Sequence, residues 1–343
     1  MDNLRPSTAD DVTAPGGTGE PARPGAAPLV VWFDAGGQPS SDLLGGKCSG
    51  LLEMTTAGLA VPPGFAVTTV AHQQNPEPPG QLAGPVAQAV IEAYRELGRR
   101  VKRPDPPVAV RSSGQSEDGQ EASFAGQFDT YLWVTGQDAV LDAVRRVWAG
   151  ALAGSTLSYR KERDLGEGFT PMCVGVQLMV DARSAGVMFT LDPRTGDRSR
   201  IVIESSWGLG EAVVGGEVRP DRLAVNKVTG TLTVEEVGTK EVEYRFNAVT
   251  GGVEPRPVEA ARRSAQSLTD DEVHELVRLG KQIERFRGAP QDIEWAIDHA
   301  SNLFLLQVRP ETVWSAKRQA QDGPFTRHRG ALECVVNLLS GAS

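Results

Sequence analysis

Hydrophobic residues recur with a helical period in four stretches of the chain. They predict four helices, one from Lys47 to Gly58 and three over Gly84–Val101, Asp138–Leu157 and Thr269–Gly288. The last of these begins with the capping-box pair Thr269 and Glu272. It ends at Gly288, a residue type that commonly terminates helices with a left-handed backbone.

Runs rich in β-branched residues predict strands, most of them in the second half of the chain. They are LVVWFD at residues 29–34, Val108–Val110, Cys173–Val180, Gly186–Thr190, Arg200–Glu204 and Arg222–Lys227. The chain changes from mainly helical to mainly strand-forming sequence at Met172, and we expect a mixed α/β (α+β) fold. We place a first lobe over residues 29–171 and a second over residues 172–314.

The two ends of the chain have different compositions from the lobes. Residues 1–28 are rich in Pro, Gly, Ala and Thr and contain no aromatic residue, which predicts a disordered tail. Residues 315–343 begin with a polar linker and turn apolar within Phe325–Leu339, at helical spacing. This C-terminal segment is expected either to dock a partner or to pack on its own domain.

Composition narrows the range of partners and compartments. The net charge is −9 in 343 residues, which argues against a nucleic-acid backbone as the partner. The three cysteines are widely spaced and form no CxxC pair, which argues against a zinc cage or a disulfide scaffold and favours a reducing cytoplasm. No export signal and no membrane-spanning run is recognisable in the sequence.

A hairpin predicted within residues 290–312 brings polar residues together. We assume that a four-residue loop, His299–Asn302, joins its two strands. Glu294 then lies opposite Gln307, and Asp292 lies opposite Arg309.

One face of this hairpin therefore carries two carboxylates, an amide and a guanidinium. Carboxylate and amide oxygens are suitable ligands for Mg²⁺, and Arg309 can bind a phosphate with two hydrogen bonds. The other face, which includes Ile293 and Trp295, is apolar and is expected to lie in the core. A solvated hairpin face with a structural salt bridge is an equal alternative on this evidence.

Three segments in the first half are candidates for phosphate binding. LGGK precedes a helix, so its backbone N–H groups and Lys47 could approach an anion, although a plain glycine turn explains it too. In AVRSSGQSED a strand ends at Arg111, a position that often faces a ligand crevice. ASFAGQFDTY contains Gly126 and Thr130, which form either a lid over phosphates or a simple turn.

Between residues 34 and 312 the chain carries long motifs in a fixed order. They are GGKCSGLLEMTTAGLAVPPGFAVTT, VAVRSSGQSEDGQEASFAGQFDT, SAGVMFTLDPRTGDRSRIVIESSWGLGEAVVGGEVRPD, and PQDIEWAI with LLQVRPET. These motifs resemble the N-terminal ATP-binding domain of the dikinase family, which includes pyruvate phosphate dikinase, phosphoenolpyruvate synthase and rifampin phosphotransferase. The resemblance implies a bilobed, ATP-grasp-like fold that holds ATP between its lobes.

The resemblance also implies roles for individual residues. It implies Lys47 and Arg111 as phosphate ligands, Gly126 and Thr130 as the phosphate lid, Gln177, Met179 and Val180 as the adenine strand, Glu294 and Gln307 as Mg²⁺ ligands, and Arg309 as the phosphate clamp. Glu211 also matches a family motif, but its spacing assigns it no role. After VRSS the family usually has Ala-Thr, whereas this chain has Gly114 and Gln115, which leaves the details of that loop open.

Members of this family pass a phosphoryl group from ATP to a histidine on a separate swivelling domain. None of the four histidines here (His72, His274, His299 and His328) lies in the family's histidine motif. The chain therefore resembles the ATP-binding subunit of a split, phenylphosphate-synthase-type system.

This resemblance predicts a Mg-ATP-binding subunit that phosphorylates a histidine on a partner subunit, with AMP and phosphate as coproducts. The partner would then phosphorylate a small acceptor such as a phenol. The alternatives are a stand-alone small-molecule kinase and a non-catalytic ATP-binding scaffold or sensor.

Overall fold

The computed structural model describes residues 27–37, 39–75, 82, 84–114, 130–151, 171–312 and 314. Its helices are α1 (Ser41–Thr56), α2 (Thr69–Gln73), α3 (Gly84–Arg100), α4 (Gln137–Ala151), α5 (Glu211–Val214), α6 (Ala260–Arg263) and α7 (Asp270–Arg287). Its strands are β1 (Val30–Trp32), β2 (Gly64–Val67), β3 (Val108–Ser113), β4 (Thr130–Val134), β5 (Cys173–Leu178), β6 (Ala182–Phe189), β7 (Arg200–Trp207), β8 (Asp221–Asn226), β9 (Leu232–Glu236), β10 (Val242–Asn247), β11 (Gly252–Pro257), β12 (Gln291–Asp298) and β13 (Leu303–Pro310).

The first lobe is built on an antiparallel sheet with the strand order β1-β2-β5-β3-β4. Alternate residues of its strands point to opposite faces, as the two-residue period of a strand requires. Phe65 and Val67 pack with helices α3 and α4 around Trp148, whereas Ala66 packs with α1 on the other face. The α1 face is also the face that carries Ala109 and Arg111, so it leads into the cleft described below.

The lobe boundary predicted at residues 171 and 172 needs a correction. That boundary assigns strand β5 to the second lobe, but β5 lies at the centre of the first sheet, paired with β2 and β3. The chain enters the second sheet only at Ala182, where β6 begins. A change from helical to strand-rich sequence marks where strands start, but it does not show which sheet they join.

The second lobe is built on an antiparallel sheet with the order β13-β12-β6-β7-β8-β9. Helix α7 covers one face, and its residues Val273 and Leu276 pack in one core with Trp295. A separate hairpin of β10 and β11 stands beside this sheet. Two mixed helix-and-sheet lobes agree with the fold class expected from the sequence.

The strongly periodic helices are confirmed. Helix α7 has both hydrogen bonds of the predicted capping box, and it ends at Gly288 with a left-handed backbone. Helix α4 is observed to Ala151, and the remainder of its predicted length lies outside the described residues. The predicted N-terminal tail, apart from Ala27 and Pro28, and the C-terminal segment Phe325–Leu339 also lie outside them.

The C-terminal hairpin has the predicted polar pairs and the assumed loop, but its register is shifted near the turn. Glu294 pairs with Gln307 and Asp292 with Arg309, as predicted. Nearer the turn the register shifts by one residue, and Ile297 pairs with Leu303. Residues 299–302 connect the two strands, as assumed, and the Asp298 carboxylate accepts hydrogen bonds from the N–H groups of residues 300 and 302.

His72 has a structural role in the first lobe. It is fully buried, its ring stacks on Trp148 at a centroid distance of 4.6 Å, and its Nδ1 accepts a hydrogen bond from the Met172 N–H. Burial lowers the pKa of His72 to about 4. The folded protein therefore holds this imidazole neutral at pH values where an exposed histidine is charged.

Lowering the pH from about 6.5 to about 4 should progressively destabilise the fold through His72. Across this window the unfolded chain binds the proton and the folded chain does not, so the free energy of unfolding falls as the pH falls. Thermal melts in steps of pH would compare the wild type with His72→Asn, which keeps a hydrogen-bond acceptor for Met172. The stability advantage of the wild type should shrink towards pH 4, and a constant advantage would contradict this role.

None of the helices in the described part of the chain is both long and apolar enough to cross a membrane.

Candidate functional site

A cleft of about 410 Å³ lies between the two sheets. Every described residue that the sequence nominated for the site lines it, namely Lys47, Arg111, Thr130, Gln177, Met179, Val180, Glu211, Glu294, Gln307 and Arg309. Gly126 lies outside the described residues. Thr130 is the first residue of strand β4 and pairs with Arg111, so this part of the predicted lid is sheet rather than turn.

The glycine turn near the N-terminus is fastened to the end of strand β3. Gly45 interrupts helix α1 with a φ of 66°, and a Cβ at this position would overlap the Ser113 carbonyl oxygen. The Ser113 hydroxyl accepts a hydrogen bond from the Cys48 N–H at 3.0 Å and donates one to the Leu44 carbonyl at 2.7 Å. Lys47 is therefore held beside the strand that carries Arg111.

The same contacts change the predicted role of the turn. Its backbone N–H groups were expected to face an anion, but Gly46 N–H donates to the Gly114 carbonyl at 3.2 Å. The Cys48 N–H is bonded to Ser113. These two amides are satisfied within the protein, so an anion at this end of the cleft would meet side chains such as Lys47 rather than a full backbone cradle.

Arg111 links the two lobes at the polar end of the cleft. Its Nη1 lies 3.6 Å from Glu294 Oε2 and 3.4 Å from Gln307 Oε1. Its side chain is 13% exposed, and its buried Nε has no hydrogen-bond partner among the described residues. A carboxylate and an amide oxygen from one lobe thus converge on a single guanidinium from the other.

Arg309 is oriented by its neighbour across the hairpin. Its Nε and Nη2 both lie 2.8 Å from Asp292 Oδ2. The Arg309 side chain remains 37% exposed, whereas that of Asp292 is 13% exposed. Asp292 therefore fixes the direction of Arg309, and the guanidinium can still meet a ligand in the cleft.

A bulge in strand β13 places two consecutive residues on the cleft face. Glu294 pairs with Gln307, but the next pair is Trp295 with Leu305, so Leu306 is the extra residue. Leu306 and Gln307 both line the cleft, although strict alternation would turn them to opposite sides. The strand thus contributes an apolar and a polar side chain at adjacent positions.

Glu211 joins the charged end of the site. Burial raises its pKa, the positive charge of Arg111 opposes that rise, and the carboxylates of Glu294 and Glu217 add to it. The sequence assigned no role to Glu211, and the structure places it on helix α5 at the cleft wall.

The opposite end of the cleft is apolar. Met179, Val180, Leu132, Leu209 and Leu306 pack together there around small residues of the second lobe. The Met179 N–H bonds to the Pro107 carbonyl, four strand positions from Arg111 and hence roughly 13 Å away at the usual rise of a strand. The cleft therefore suits a ligand with a flat apolar part and an anionic part at that separation.

Gln177 lies between these two ends. It pairs with Ala109 in the first sheet, and its side chain is 2% exposed. Its Nε2 is buried without a hydrogen-bond partner among the described residues. A ligand in the cleft could accept a hydrogen bond from this buried, unpaired amide N–H.

The sequence analysis did not predict several residues that line the cleft. Ala109 and Leu132 lie two residues from Arg111 and Thr130, so strand alternation places them on the same face and would have revealed them. Leu209 reaches the cleft from the second lobe, and in the sequence only its place two residues before Glu211 marks it.

The donor set at the polar end fits a hard divalent cation. Glu294 and Gln307 offer oxygen atoms that converge near one point, since both lie close to the same Arg111 nitrogen. The described residues contain no group of three or more His, Cys, Asp or Glu arranged to hold a metal. Mg²⁺ is the cation that suits so few protein ligands, because it takes its other oxygens from phosphate and water.

No described histidine lines the cleft. His72 is buried against Trp148, His274 is exposed on helix α7, and His299 lies in the hairpin turn with its Nε2 3.0 Å from Arg245 Nη1. His328 lies outside the described residues.

Comparison with known proteins finds a matching family model and curated relatives. The family model described as "Pyruvate phosphate dikinase, AMP/ATP-binding domain" matches residues 79–328. Phosphoenolpyruvate synthase of Aeropyrum pernix is 36% identical over 85% of this chain and 43% of its own length. A probable phosphoenolpyruvate synthase of Methanothermobacter thermautotrophicus is 37% identical over 82% of this chain and 46% of its own length.

A transferase with a different name is also among the relatives. The prodigiosin synthesizing transferase PigC of Serratia marcescens is 39% identical over 78% of this chain and 31% of its own length. The chain thus spans less than half the length of these curated relatives. Among solved structures, D-alanyl-alanine synthetase A from Vibrio cholerae aligns with 85% of this chain and 63% of that chain, at 11% identity and a TM-score of 0.33.

Proposed function

The chain belongs to the family of pyruvate phosphate dikinase AMP/ATP-binding domains, and we propose that it is the Mg-ATP-binding subunit of a split dikinase-type phosphotransferase. In this proposal ATP binds in the cleft between the two sheets. A phosphoryl group passes to a histidine on a partner subunit, and the partner delivers it to a small acceptor such as a phenol. A cytoplasmic location is part of the proposal, since the three cysteines are widely spaced and form no CxxC pair.

The observation that carries the proposal is the division of the cleft into a cationic end and an apolar end. Lys47, Arg111 and Arg309 line the polar end and would bind the phosphates. Met179 and Val180 line the apolar end and would contact the adenine.

The polar groups of the cleft would complete the nucleotide site. Gln177 brings a buried donor to the space between its two ends. Glu294 and Gln307 would hold Mg²⁺, which when bound neutralises phosphate charge.

In phosphoryl transfer the protein mainly positions the reacting groups and places charges that stabilise the transition state. Arg111 is already oriented by Glu294 and Gln307, and Arg309 by Asp292. Because both side chains are already ordered before the polyphosphate binds, they lose less conformational entropy on binding. The overall exchange converts ATP, histidine and water into AMP, phosphohistidine and phosphate.

The partner histidine is proposed because the described histidines are away from the cleft. His72 is buried elsewhere in the first lobe, and His274 and His299 lie on the outer surface of the second. The charged end of the cleft would have to accept an imidazole from another domain. A partner subunit that carries a histidine motif would supply it, together with the site for the final acceptor.

We expect the purified chain to bind Mg-ATP and to transfer little phosphate by itself. Adding the histidine-bearing partner should release AMP and leave acid-labile phosphate on that partner. The experiment uses ATP labelled in its β- and γ-phosphates, and the control is a partner whose motif histidine is replaced by asparagine.

Three outcomes would contradict the split-enzyme proposal. Turnover with a phenol and no partner would indicate a stand-alone kinase, and stable phosphate on a histidine of this chain would place the acceptor here. ATP binding with no transfer, even with the partner present, would favour a scaffold or sensor.

A further inference from the structure

An aromatic stack joins the two lobes at the apolar end of the cleft. Trp133 lies on β4, the edge strand of the first sheet, and Phe246 lies on β10 of the separate hairpin. Their ring centroids are 4.8 Å apart and their planes differ by 11°. No motif in the sequence pointed to this contact, which forms between residues more than a hundred positions apart.

The hairpin that carries Phe246 is anchored to the second lobe. The Leu209 N–H donates to the Tyr244 carbonyl at 3.1 Å, and Arg245 Nη1 donates to the Ala182 carbonyl at 3.2 Å. Gly208, with a φ of 74°, allows this close approach, since a Cβ there would lie 2.7 Å from the Tyr244 oxygen. Phe246 therefore moves with the second sheet.

The backbone at Trp133 is strained. Its φ is 58°, in the left-handed region that a bulky aromatic residue rarely adopts. A residue stays in such a conformation only when its surroundings hold it there. The neighbouring residue Leu132 lines the cleft. The backbone conformation of Trp133 that stacks its indole on Phe246 therefore also sets the position of Leu132.

The lobes are also joined on a second side, at helix α1. The Leu305 N–H donates to the Ala60 carbonyl at 2.8 Å, and Arg287 Nη2 lies 2.7 Å from Glu53 Oε2. Gly50 packs so closely on strand β13 that a Cβ would lie 2.9 Å from the Val308 oxygen. This side combines backbone hydrogen bonding, an ion pair and close packing, whereas the apolar side has the aromatic stack, aliphatic contacts and the chain itself, which crosses from β5 to β6 over residues 179–181.

We infer that Trp133 and Phe246 are positioning residues that hold the two lobes together over the base of the bound nucleotide. The stack acts through Leu132, Met179 and the apolar wall around them, which it holds in place against the base. This inference rests on the proposed function, because it assigns the apolar end of the cleft to the base.

Loss of one ring from an aromatic pair should raise the dissociation rate of nucleotide by about 3- to 10-fold. The test uses the full chain with Mg²⁺ and a fluorescent ATP analogue that is displaced by excess ATP. Phe246→Ala and Phe246→Leu should both release the analogue faster and raise its Kd, with the association rate little changed. Phe246→Tyr should restore wild-type release, since it keeps the ring.

Phe286→Ala provides a matched control, because this phenylalanine is 59% exposed on helix α7. It should leave the release rate unchanged. Melting temperatures separate positioning from structure, since a merely structural role would lower the melting temperature without a specific change in release. If Phe246→Leu folds and releases the analogue at the wild-type rate, the inference is wrong. If the wild type binds no analogue, the proposed function itself fails.

Discussion

Replacing Arg111 with alanine should lower the rate of phosphoryl transfer to the partner histidine by about 10²- to 10³-fold. The side chain lies between the lobes with Nη1 close to Glu294 and Gln307. Its removal takes a fixed positive charge from the polyphosphate and leaves the Glu294 carboxylate without its partner. Lys47→Ala and Arg309→Ala should act in the same direction, since each removes a cation that lines the same cleft.

Single-turnover transfer with saturating Mg-ATP measures this effect directly. Arg95→Ala is a suitable control, because Arg95 is exposed on helix α3 and its Nη2 bonds to Gln137 on the outside of the first lobe. That variant should transfer phosphate at the wild-type rate. Wild-type transfer by the Lys47, Arg111 and Arg309 variants alike would mean that the cleft is not the phosphate site.

Trp295→Ala should reduce the free energy of unfolding by about 3–5 kcal/mol. The indole is fully buried in the core of the second lobe, where it packs with Ile293 and Ile297 and with helix α7. Truncation removes a large apolar surface from contact and leaves a cavity that this core cannot easily close. Denaturant titration with the change followed by circular dichroism measures the loss.

Glu294→Gln is the matched variant, since Glu294 is the preceding residue and points to the opposite face of the strand. It should unfold near the wild-type midpoint while weakening Mg²⁺-dependent ATP binding, measured by calorimetry with and without the metal. Gln307→Ala should weaken the same binding. A harmless Trp295→Ala together with a Glu294→Gln that unfolds the protein would contradict the observed strand register.

The hairpin of β12 and β13 shows how much of a strand pairing can be predicted from alternating polar and apolar residues. The alternation of polar and apolar residues predicts that Glu294 pairs with Gln307 and Asp292 with Arg309. The structure confirms both pairs. The shift beyond these pairs was not predictable, because it arises from the bulge at Leu306, which strict alternation does not contain. In the turn itself, Asp298 binds two backbone N–H groups and Ser301 adopts a φ of 63°.

The first sheet shows a different limit. The sequence predicts strand β5, but it does not reveal that β5 enters between β2 and β3. Strand neighbours depend on pairing between distant segments, and a local hydrophobic pattern is the same whichever neighbour it meets. The same reasoning explains the stack of Trp133 on Phe246, which no local pattern marks.

The central place of strand β5 has a consequence during synthesis on the ribosome. Strands β1 and β2 emerge early, yet the strand that links them to β3 and β4 is made more than a hundred residues after β2. At about 5–20 residues per second, the half-built sheet waits for several seconds with its inner edges unpaired. Nascent chains stalled just before residue 173 should therefore be sensitive to protease and bind chaperones, and chains that expose β5 should become resistant.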